Sequence, residues 1–484
     1  MRSTNRSASV RLVPILWRLI LPAPGVLASS ARPQARAQSP SAVVAFVDVT
    51  VVDGTTPQPR SGWTVVVANG RIVHAGPTPT VSVPRGARVV SGTGRYLIPG
   101  LWDMHVHLNE KDVEWLPLLV AHGVTSVRDV GTLRRADADS LVLVATRRGL
   151  PTPRIATGGF MVETPSSLAF MERLATLAAA TSHATPFWSR GRIAVTMPSG
   201  AEAVADSVVR AGGTMLKFID PGSPQVFFAL ARAARARRLT LVGHAPQALR
   251  TVGPWAAVDS GQRSFEHVFG LAGALDTMAA ASRTAFGARM RERNAALVPT
   301  LLVSSQDSIP TDRFWSLIRD SLGTIDPRNR WISAFERSQW AVRLGVQRDG
   351  RPRSSEALMQ QYQREANALA SMHQLGVPIL PGTDLGIYLV YPGSSLHDEL
   401  ALMARDARMT PYEVLRAATF ASSQWLGAAD SVGAVRPGQL ADLVLLNADP
   451  TTDVKHLADI HAVVMAGRFY DRSALDRLRG WKAR

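Results

Sequence analysis

The sequence predicts an α/β fold, namely a (β/α)8 TIM barrel with a small β-sandwich domain built from both chain ends. In residues 99–425, eight apolar, strand-like runs alternate with Ala-rich stretches of helical character. Eight such units spread over ~250 or more residues are typical of that barrel. Short β-rich runs separated by turns fill residues 38–98 and return in residues 426–484, which predicts one composite β-domain.

The eight predicted barrel strands share apolar or β-branched residues and each is followed by a turn or a polar side chain. They are LWDMHVHL (101–108), VTSVRDVG (124–131), RIATGGF (154–160), MLKFID (215–220), LTLVGHA (239–245), SFEHVFG (264–270), LVPTLLV (297–303) and VPILPGTD (377–384). The β-domain carries its own turn signal, because Asn69-Gly70 between two β-rich runs favours a tight hairpin.

Composition excludes several function classes. The 484 residues include 46% hydrophobic residues, which is ample for a core, and no cysteine, which excludes disulfides, thiol catalysis and cysteine metal ligands. The formal net charge is +16, but the arginines are scattered and lack the clustering of a nucleic-acid surface. We therefore expect no nucleic-acid partner.

The N-terminus resembles a secretory signal peptide. Residues 1–37 combine a basic start, an apolar middle and the small-residue pattern ARA, which predicts export to the periplasm or the medium after cleavage near Ala37. Arg18 and three prolines interrupt the apolar part, so we expect no stable membrane span there. The alternative is a cytosolic extension without a targeting role.

Polar residues fall at the ends of five predicted barrel strands, where the active site of such a barrel gathers. They are His105, His107, Lys217, His244, His267 and Asp384. Strand alternation places His105 and His107 on one face, so the two imidazoles could share a metal, although either alone could be a structural residue.

Lys217 is unusual because the chain contains only four lysines and this one lies in an apolar run. One explanation is a buried ion pair with Asp220. The other is a role that arginine cannot fill, since burial lowers the pKa of an ammonium group and exposes a neutral, nucleophilic amine.

Several segments together resemble one protein family. They are PGLWDMHVHL, HGVTSVRDVG, SFEHVFG, PILPGTD and the block MTPYEVLRAATFASSQWLGAADSVGAVRPGQLADLVLLNADP. The chain resembles the amidohydrolase superfamily, in its imidazolonepropionase-like and prolidase-like branch, from about residue 43 to 470. This resemblance implies two divalent metal ions, with His105, His107 and Asp384 on the first, His244 and His267 on the second, and Lys217 bridging both as a CO2-derived carbamate.

The resemblance also implies a reaction. A hydroxide that bridges the metals would attack the carbonyl of an amide or peptide C–N bond, and Asp384 would carry the proton to the leaving nitrogen. Zinc is the expected metal, since nitrogen and oxygen ligands suit it. The resemblance implies a small-molecule or dipeptide substrate and favours a prolidase-like dipeptidase. The enzymatic alternative is a cyclic amidase of imidazolonepropionase type, and the non-enzymatic alternative is a non-catalytic barrel scaffold. Relatives are often dimers or larger, so we expect a homo-oligomer.

Residues near the eighth strand could contact substrate. Tyr388, Tyr391 and His397 follow that strand and are candidates for lining the pocket. Arg128 is expected to support the end of the second strand. Glu266 is expected to point away from its neighbour His267 and to have a structural role, because adjacent strand residues face opposite sides.

Overall fold

The computed structural model describes residues 43–109, 112–182, 191–245, 252–349 and 354–480. All of them belong to one unit, Ser41–Arg484. The signal-peptide prediction for residues 1–37 lies outside the described residues.

The strands of the described residues follow the β-branched and apolar runs of the sequence. They are β1 (Val44–Val51), β2 (Arg60–Ala68), β3 (Arg71–Pro77), β4 (Arg88–Ser91), β5 (Tyr96–Pro99), β6 (Leu101–Val106), β7 (Val124–Asp129), β8 (Arg154–Thr157), β9 (Met161–Glu163), β10 (Arg192–Ala194), β11 (Met215–Phe218), β12 (Thr240–His244), β13 (Gln262–Glu266), β14 (Ala296–Val298), β15 (Leu443–Leu446), β16 (Ile460–Met465) and β17 (Arg468–Asp471).

The helices occupy the Ala-rich stretches between these strands and the long connection after β14. They are α1 (Trp115–Ala121), α2 (Arg135–Arg147), α3 (Pro165–Ser182), α4 (Ala201–Arg210), α5 (Pro224–Ala236), α6 (Pro254–Asp259), α7 (Phe269–Thr277), α8 (Ala280–Glu292), α9 (Leu301–Asp307), α10 (Thr311–Arg319), α11 (Ala334–Asp349), α12 (Ser355–Gln374), α13 (Ser394–Asp406), α14 (Pro411–Arg416), α15 (Ser422–Trp425) and α16 (Arg472–Gly480). Within the described part of the chain, none of them has the length and apolar character that a membrane crossing requires.

Both chain ends contribute to one eight-stranded sheet, which we call the terminal sheet. Its order is β17-β16-β15-β5-β1-β2-β3, and β4 pairs with β1. The predicted hairpin is confirmed, because β2 and β3 pair antiparallel and Asn69 and Gly70 both have positive φ, at 50° and 75°. These strands form a single hydrogen-bonded sheet, so the predicted β-sandwich stays a prediction.

Parallel strands make up the centre of the molecule. One sheet has the order β6-β7-β8, and the other has the order β10-β9-β11-β12-β13-β14. Every residue of β6, β7 and β11 is buried. Burial on both faces is typical of strands in parallel sheets that helices cover.

The third and seventh predicted strands are shorter than expected. The third ends at Thr157, because Gly158 and Gly159 follow and Gly159 has a φ of 86°. The seventh ends at Val298, since Pro299 cannot donate a ladder hydrogen bond and α9 begins at Leu301. The prediction of strand for residues 301–303 is therefore wrong.

The eighth predicted strand is not a regular strand, which corrects the sequence interpretation of residues 377–384. Pro378 and Pro381 lack the N–H groups that a central strand needs. The segment nevertheless lies between β14 and β6. The Leu297 N–H donates to the Pro378 carbonyl at 2.9 Å, and the Met104 N–H donates to the Pro381 carbonyl at 2.8 Å. Its place in the fold is therefore the predicted one, although its hydrogen-bond ladder is incomplete.

Candidate metal centre

The polar residues predicted from strand ends gather on the carboxyl side of the central strands. His105 lies near the end of β6, Lys217 lies in β11 and His244 is the last residue of β12. His267 follows β13 directly. Asp384 is held to β6, since its N–H donates to the His105 carbonyl at 2.8 Å. Parallel strands thus deliver side chains from separate parts of the sequence to one place.

His105, His107 and Asp384 form a compact group of metal-type ligands. Their ligand atoms all lie within 4.8 Å of one another. The Nε2 atoms of the two histidines are 3.3 Å apart, and Asp384 Oδ1 lies 3.4 Å from His105 Nε2 and 3.2 Å from His107 Nε2. Two imidazole nitrogens and a carboxylate oxygen that converge in this way suit a divalent cation such as Zn²⁺.

His244 and His267 lie beside this group. The ring centroid of His267 is 4.8 Å from that of His244 and also 4.8 Å from that of His105. The Nδ1 atom of His267 hydrogen-bonds the hydroxyl of Thr300 at 2.6 Å. Because Nδ1 is occupied, Nε2 is the ring nitrogen of His267 that remains available to a ligand.

Lys217 is fully buried, and its Nζ atom has no hydrogen-bond partner among the described residues. The ion pair with Asp220 that the sequence left open is not formed, because the Asp220 carboxylate accepts a hydrogen bond from the Gly222 N–H instead. An unpaired ammonium group in this position would be costly. The side chain therefore fits a neutral amine or a modified one.

Burial lowers the pKa of the nitrogen groups at the centre. Burial lowers the pKa of Lys217 to about 8, although Glu266 and Asp384 oppose the shift. Burial and the Lys217 charge lower the pKa of His105 to about 4 and hold that of His244 well below its usual value. A metal ion binds the deprotonated form of each of these groups.

Asp384 is the acidic member of the centre and is ionised. Burial alone would raise the pKa of its carboxyl group. The hydrogen bond from His107 and the charges of His105 and His267 outweigh that effect and hold the pKa well below its usual range. The carboxylate is therefore available both as a ligand and as a proton acceptor.

Glu266 and Arg128 fix the orientation of His105. Glu266 Oε2 lies 2.7 Å from His105 Nδ1, and the Arg128 guanidinium donates to both Glu266 oxygens at 2.7 and 2.8 Å. Arg128 Nε also donates to the Met104 carbonyl at 2.6 Å. This carboxylate–histidine pair directs His105 Nε2 towards Asp384, as the partners of metal-binding histidines commonly do.

The sequence interpretation placed the Glu266 side chain on the wrong side of the strand, and the backbone conformation explains why. Strand alternation stops at Glu266, because His267 has a φ of 67° and turns out of the strand. Both neighbouring side chains therefore reach the centre. The predicted support by Arg128 agrees with its contact to Glu266.

Three residues at the centre have left-handed backbone conformations. The φ angles are 67° for His267, 61° for Asp384 and 46° for Thr300. Each costs about 1–2 kcal/mol in an L-residue other than glycine. Such conformations persist where the surrounding structure holds them, and they cluster at functional sites.

A cavity of about 300 Å³ opens onto the centre. Its lining includes His107, His244, His267 and Asp384, together with Tyr388 from the segment after the eighth predicted strand. Tyr391 and His397 are not among the described residues that line it. The Tyr391 hydroxyl bonds Asn329 at 3.1 Å, and His397 Nε2 bonds the His122 carbonyl at 2.9 Å. The structure thus brings Tyr388 to the cavity and the other two candidates elsewhere.

Sequence reasoning did not single out three further charged residues that line this cavity. Glu163 is the last residue of β9, Arg192 is the first residue of β10, and Arg343 lies in α11. Arg192 forms an ion pair with Glu163, which also accepts a hydrogen bond from Ser167. No motif marks them, because they come from the long connections after the third and seventh predicted strands.

Comparison with known proteins identifies the family. The model of the amidohydrolase family matches residues 96–469. The chain belongs to the amidohydrolase family. The match covers the central parallel strands and also β5, β15 and β16 of the terminal sheet. It confirms the family that the sequence motifs resembled.

Individual relatives show how far the likeness extends. A crystal structure of a Xaa-Pro dipeptidase with bound methionine in the active site is 18% identical, with a TM-score of 0.61, and the likeness covers 89% of this chain and 100% of the other. Bottromycin amidohydrolase is 26% identical, with a TM-score of 0.65 over 90% of this chain and 88% of that one. Adenine deaminase of Mesorhizobium japonicum (strain LMG 29417 / CECT 9101 / MAFF 303099) is 36% identical over 70 residues, which is 14% of this chain and 12% of the deaminase.

The likeness to the Xaa-Pro dipeptidase shows a shared fold over nearly the whole described chain. The matched stretch spans about an eighth of the length of the deaminase.

Proposed function

We propose that this chain is an exported, metal-dependent amidohydrolase that cleaves an amide or dipeptide C–N bond. The observation that carries the proposal is the convergence of His105, His107 and Asp384 within 4.8 Å, beside the buried and unpaired Nζ atom of Lys217. Family membership and the fold shared with a Xaa-Pro dipeptidase support the reaction class.

The residues present fit two divalent metal ions, with zinc as the expected identity. His105, His107 and Asp384 would hold one ion, and His244 and His267 the other, with Lys217 as a carbamate between them. The Lys217 amine would attack CO2, form the N–C bond and release one proton. When bound, the two ions supply Lewis acidity that polarises the substrate carbonyl and acidifies water.

The chain's own side chains would carry the proton. Asp384 accepts a proton from the attacking water and delivers it to the nitrogen of the breaking C–N bond, since its low pKa keeps the carboxylate ionised. Glu266 keeps His105 in the required tautomer through the 2.7 Å contact at Nδ1. The cavity would receive the substrate beside Asp384.

The experiment that tests this proposal is a substrate panel. Purified protein is supplied with zinc and bicarbonate and offered Xaa-Pro dipeptides, other dipeptides, N-acyl amino acids, a cyclic imidazolone and adenine. Hydrolysis of amides or dipeptides supports the proposal. Turnover of the imidazolone alone would favour the cyclic amidase, and turnover of adenine alone a deaminase. No turnover and no bound metal would favour a scaffold role.

We propose further that the central parallel strands close into a (β/α)8 barrel over residues 99–425. Hydrogen bonds link the two parallel sheets at both junctions. At one, the Thr214 N–H donates to the Thr157 carbonyl at 3.2 Å. At the other, residues 377–384 lie between the sheets: the Pro381 carbonyl accepts from the Met104 N–H of β6 at 2.8 Å, and the Pro378 carbonyl accepts from the Leu297 N–H of β14 at 2.9 Å. Residues 38–98 and 426–484 would form the second domain. An experimental structure at high resolution tests both statements through the strand pairing that it shows.

Export and self-association complete the proposal. Cleavage near Ala37 would release a mature chain outside the cytoplasm, and N-terminal sequencing of the exported protein would reveal a start near Gln38. An uncleaved, cytosolic product would contradict export. Light scattering of the purified protein tests for a homo-oligomer, which a monomeric mass would exclude.

A further inference from the structure

A second cavity lies at the end of the central strands opposite the metal centre. It has a volume of about 530 Å³ and is lined in part by residues 377–380, the start of the segment that ends at Asp384. None of the described residues that line it also lines the cavity at the metal centre. Its volume lies within the range of cavities that bind small organic molecules in proteins. The proposed hydrolysis makes no use of this second cavity.

Much of the lining of the second cavity is apolar and buried. Trp425 is 8% exposed, and its indole Nε1 donates to the Asn294 carbonyl at 3.2 Å, which fixes the ring. Four further buried apolar residues share the lining, namely Val377, Ile379, Leu380 and Met409. Apolar surface of this kind favours contact with the apolar part of a ligand over contact with water.

One wall of the second cavity comes from a π-helical turn. The segment Ala417–Ala421 connects α14 to α15 with π-helical geometry, and both Ala417 and Ala421 line the cavity. The Ser422 hydroxyl donates to the Ala417 carbonyl at 2.7 Å. Such turns are rare and are frequently found at functional sites. This one belongs to the C-terminal sequence block that resembled the amidohydrolase superfamily, a block that contributes no ligand to the metal centre.

Two arginines add positive charge to the lining. Arg416 ends α14, and its Cζ atom lies 5.8 Å from the ring centroid of Phe420. Arg291 lies in α8 and donates a hydrogen bond to the Leu375 carbonyl. Neither guanidinium forms an ion pair with a carboxylate of the described residues. Contact with an aromatic face or a carbonyl orients an arginine while its other donors stay available.

The described lining contains a single carboxylate, and that carboxylate already has partners. Glu413 accepts hydrogen bonds from the N–H and the hydroxyl of Thr410 at 2.7 and 2.8 Å, and His373 Nε2 lies 3.5 Å from it. These contacts make Glu413 part of the cap of α14. Two guanidinium groups against one carboxylate leave the second cavity with surplus positive charge.

We propose that the second cavity binds a small amphipathic anion, that is, an organic molecule with one anionic group and an apolar ring or chain. The apolar part lies against Trp425 and its buried neighbours, and the anionic group accepts charge-assisted hydrogen bonds from Arg416 and Arg291. An inorganic anion leaves the apolar lining in contact with water, and a neutral ligand leaves the guanidinium groups without a partner. This site does not depend on the proposed hydrolysis.

Titration calorimetry of the purified protein with three probes tests the site. Naphthalene-2-sulfonate carries both parts of the proposed ligand, whereas sodium sulfate carries only the charge and naphthalene-2-methanol only the rings. We expect the wild type to bind naphthalene-2-sulfonate at least about 10-fold more tightly than either other probe. Arg416→Gln and Arg291→Gln should each weaken that binding by about 10-fold, the size of one charge-assisted hydrogen bond. Both arginines are exposed, so both variants should fold.

Two further variants separate the second cavity from other places where the probe could bind. Arg293→Gln removes an exposed arginine that lies two residues after Arg291 and does not line the cavity, so it should leave the affinity unchanged. Ala421→Leu keeps every charge but fills part of the space, so it should abolish binding. Thermal unfolding shows whether each variant folds.

The outcomes decide the proposal whatever the substrate panel finds. Failure of the wild type to bind naphthalene-2-sulfonate would overturn it, and so would equal affinity for sulfate or for naphthalene-2-methanol. Binding that Arg416→Gln and Arg291→Gln leave unchanged would place the probe elsewhere, for example at the metal centre, and would also overturn it. An equal loss of affinity in Arg293→Gln would show a general effect of charge and contradict a site at this cavity.

Discussion

The terminal sheet and the metal centre are both built on β-strands, but they differ in what the strands bury. In the terminal sheet, Phe46, Leu443 and Leu445 belong to one apolar cluster. At the centre, Lys217 and Glu266 are buried just as completely. Apolar burial stabilises without regard to direction, whereas a buried charge needs a partner in a defined place. The comparison separates residues that hold the fold from residues that are retained for chemistry.

Lys217→Ala should produce the largest effect, since it removes the group proposed to join the two metals. We expect loss of bound metal and a fall in kcat/KM on the order of 100-fold or more, beyond the effect typical of residues that only orient ligands. A short carboxylic acid such as acetate should restore part of the activity by replacing the carbamate.

Lys455→Ala is the matched control, because that lysine is exposed and far along the chain in the segment before β16. Both metal content and turnover should match the wild type. Wild-type turnover in Lys217→Ala would contradict the proposed role of the buried lysine.

Glu266→Gln should weaken the centre to a smaller extent. The amide cannot hold His105 and Arg128 as a carboxylate does, so metal affinity or activity should fall by about 10- to 100-fold. Loss of the charge also leaves Arg128 buried without its ion pair, which lowers the free energy of unfolding by about 3–5 kcal/mol. Metal titration and thermal unfolding measure the two effects, with exposed Glu356→Gln as control. Unchanged metal affinity would mean that His105 does not depend on Glu266.

Leu445→Ala should show the opposite pattern. Leu445 is 1% exposed in the apolar cluster of the terminal sheet. Truncation should lower the free energy of unfolding by about 2–5 kcal/mol. The kcat/KM of the folded protein should not change. A loss of kcat/KM without a loss of stability would show that the terminal sheet takes part in the site.

Thr410→Ala should have the smallest effect. Thr410 caps α14 and exchanges hydrogen bonds with Glu413, whose pKa is lowered because the hydrogen bonds from Thr410 outweigh partial burial. The loss of the cap should lower the free energy of unfolding by about 1 kcal/mol.

The difference in unfolding free energy between the wild type and Thr410→Ala should change with pH in a definite direction. A carboxyl group with a lowered folded pKa stabilises above its unfolded value near 4.5, and the contribution is lost as the pH falls through the folded value. The gap in melting temperature between wild type and Thr410→Ala should therefore narrow below about pH 4. A gap that widens in acid would contradict the capping interaction.

The gathering of the strand-end residues could be anticipated from the sequence, for a physical reason. Parallel strands place their carboxyl ends together, so His105, Lys217 and His244 could be assigned to one site from strand ends alone. The hairpin at Asn69-Gly70 was equally accessible, since its turn requires residues that tolerate positive φ.

What could not be predicted depends on the backbone between the motifs. Glu266 was assigned the wrong side because strand alternation assumes extended backbone, and His267 leaves the strand with a φ of 67°. Arg192 and Arg343 reach the cavity from long connections whose paths no local pattern specifies. Pro378 and Pro381 marked the eighth strand as irregular, and this signal could have been used.

The metal content of the purified protein tests the central claim most directly. After expression with zinc and bicarbonate, inductively coupled plasma mass spectrometry should find two metal ions per wild-type chain and clearly fewer per Lys217→Ala chain. A wild-type chain that binds no metal under these conditions would contradict the proposed centre and the hydrolase that depends on it.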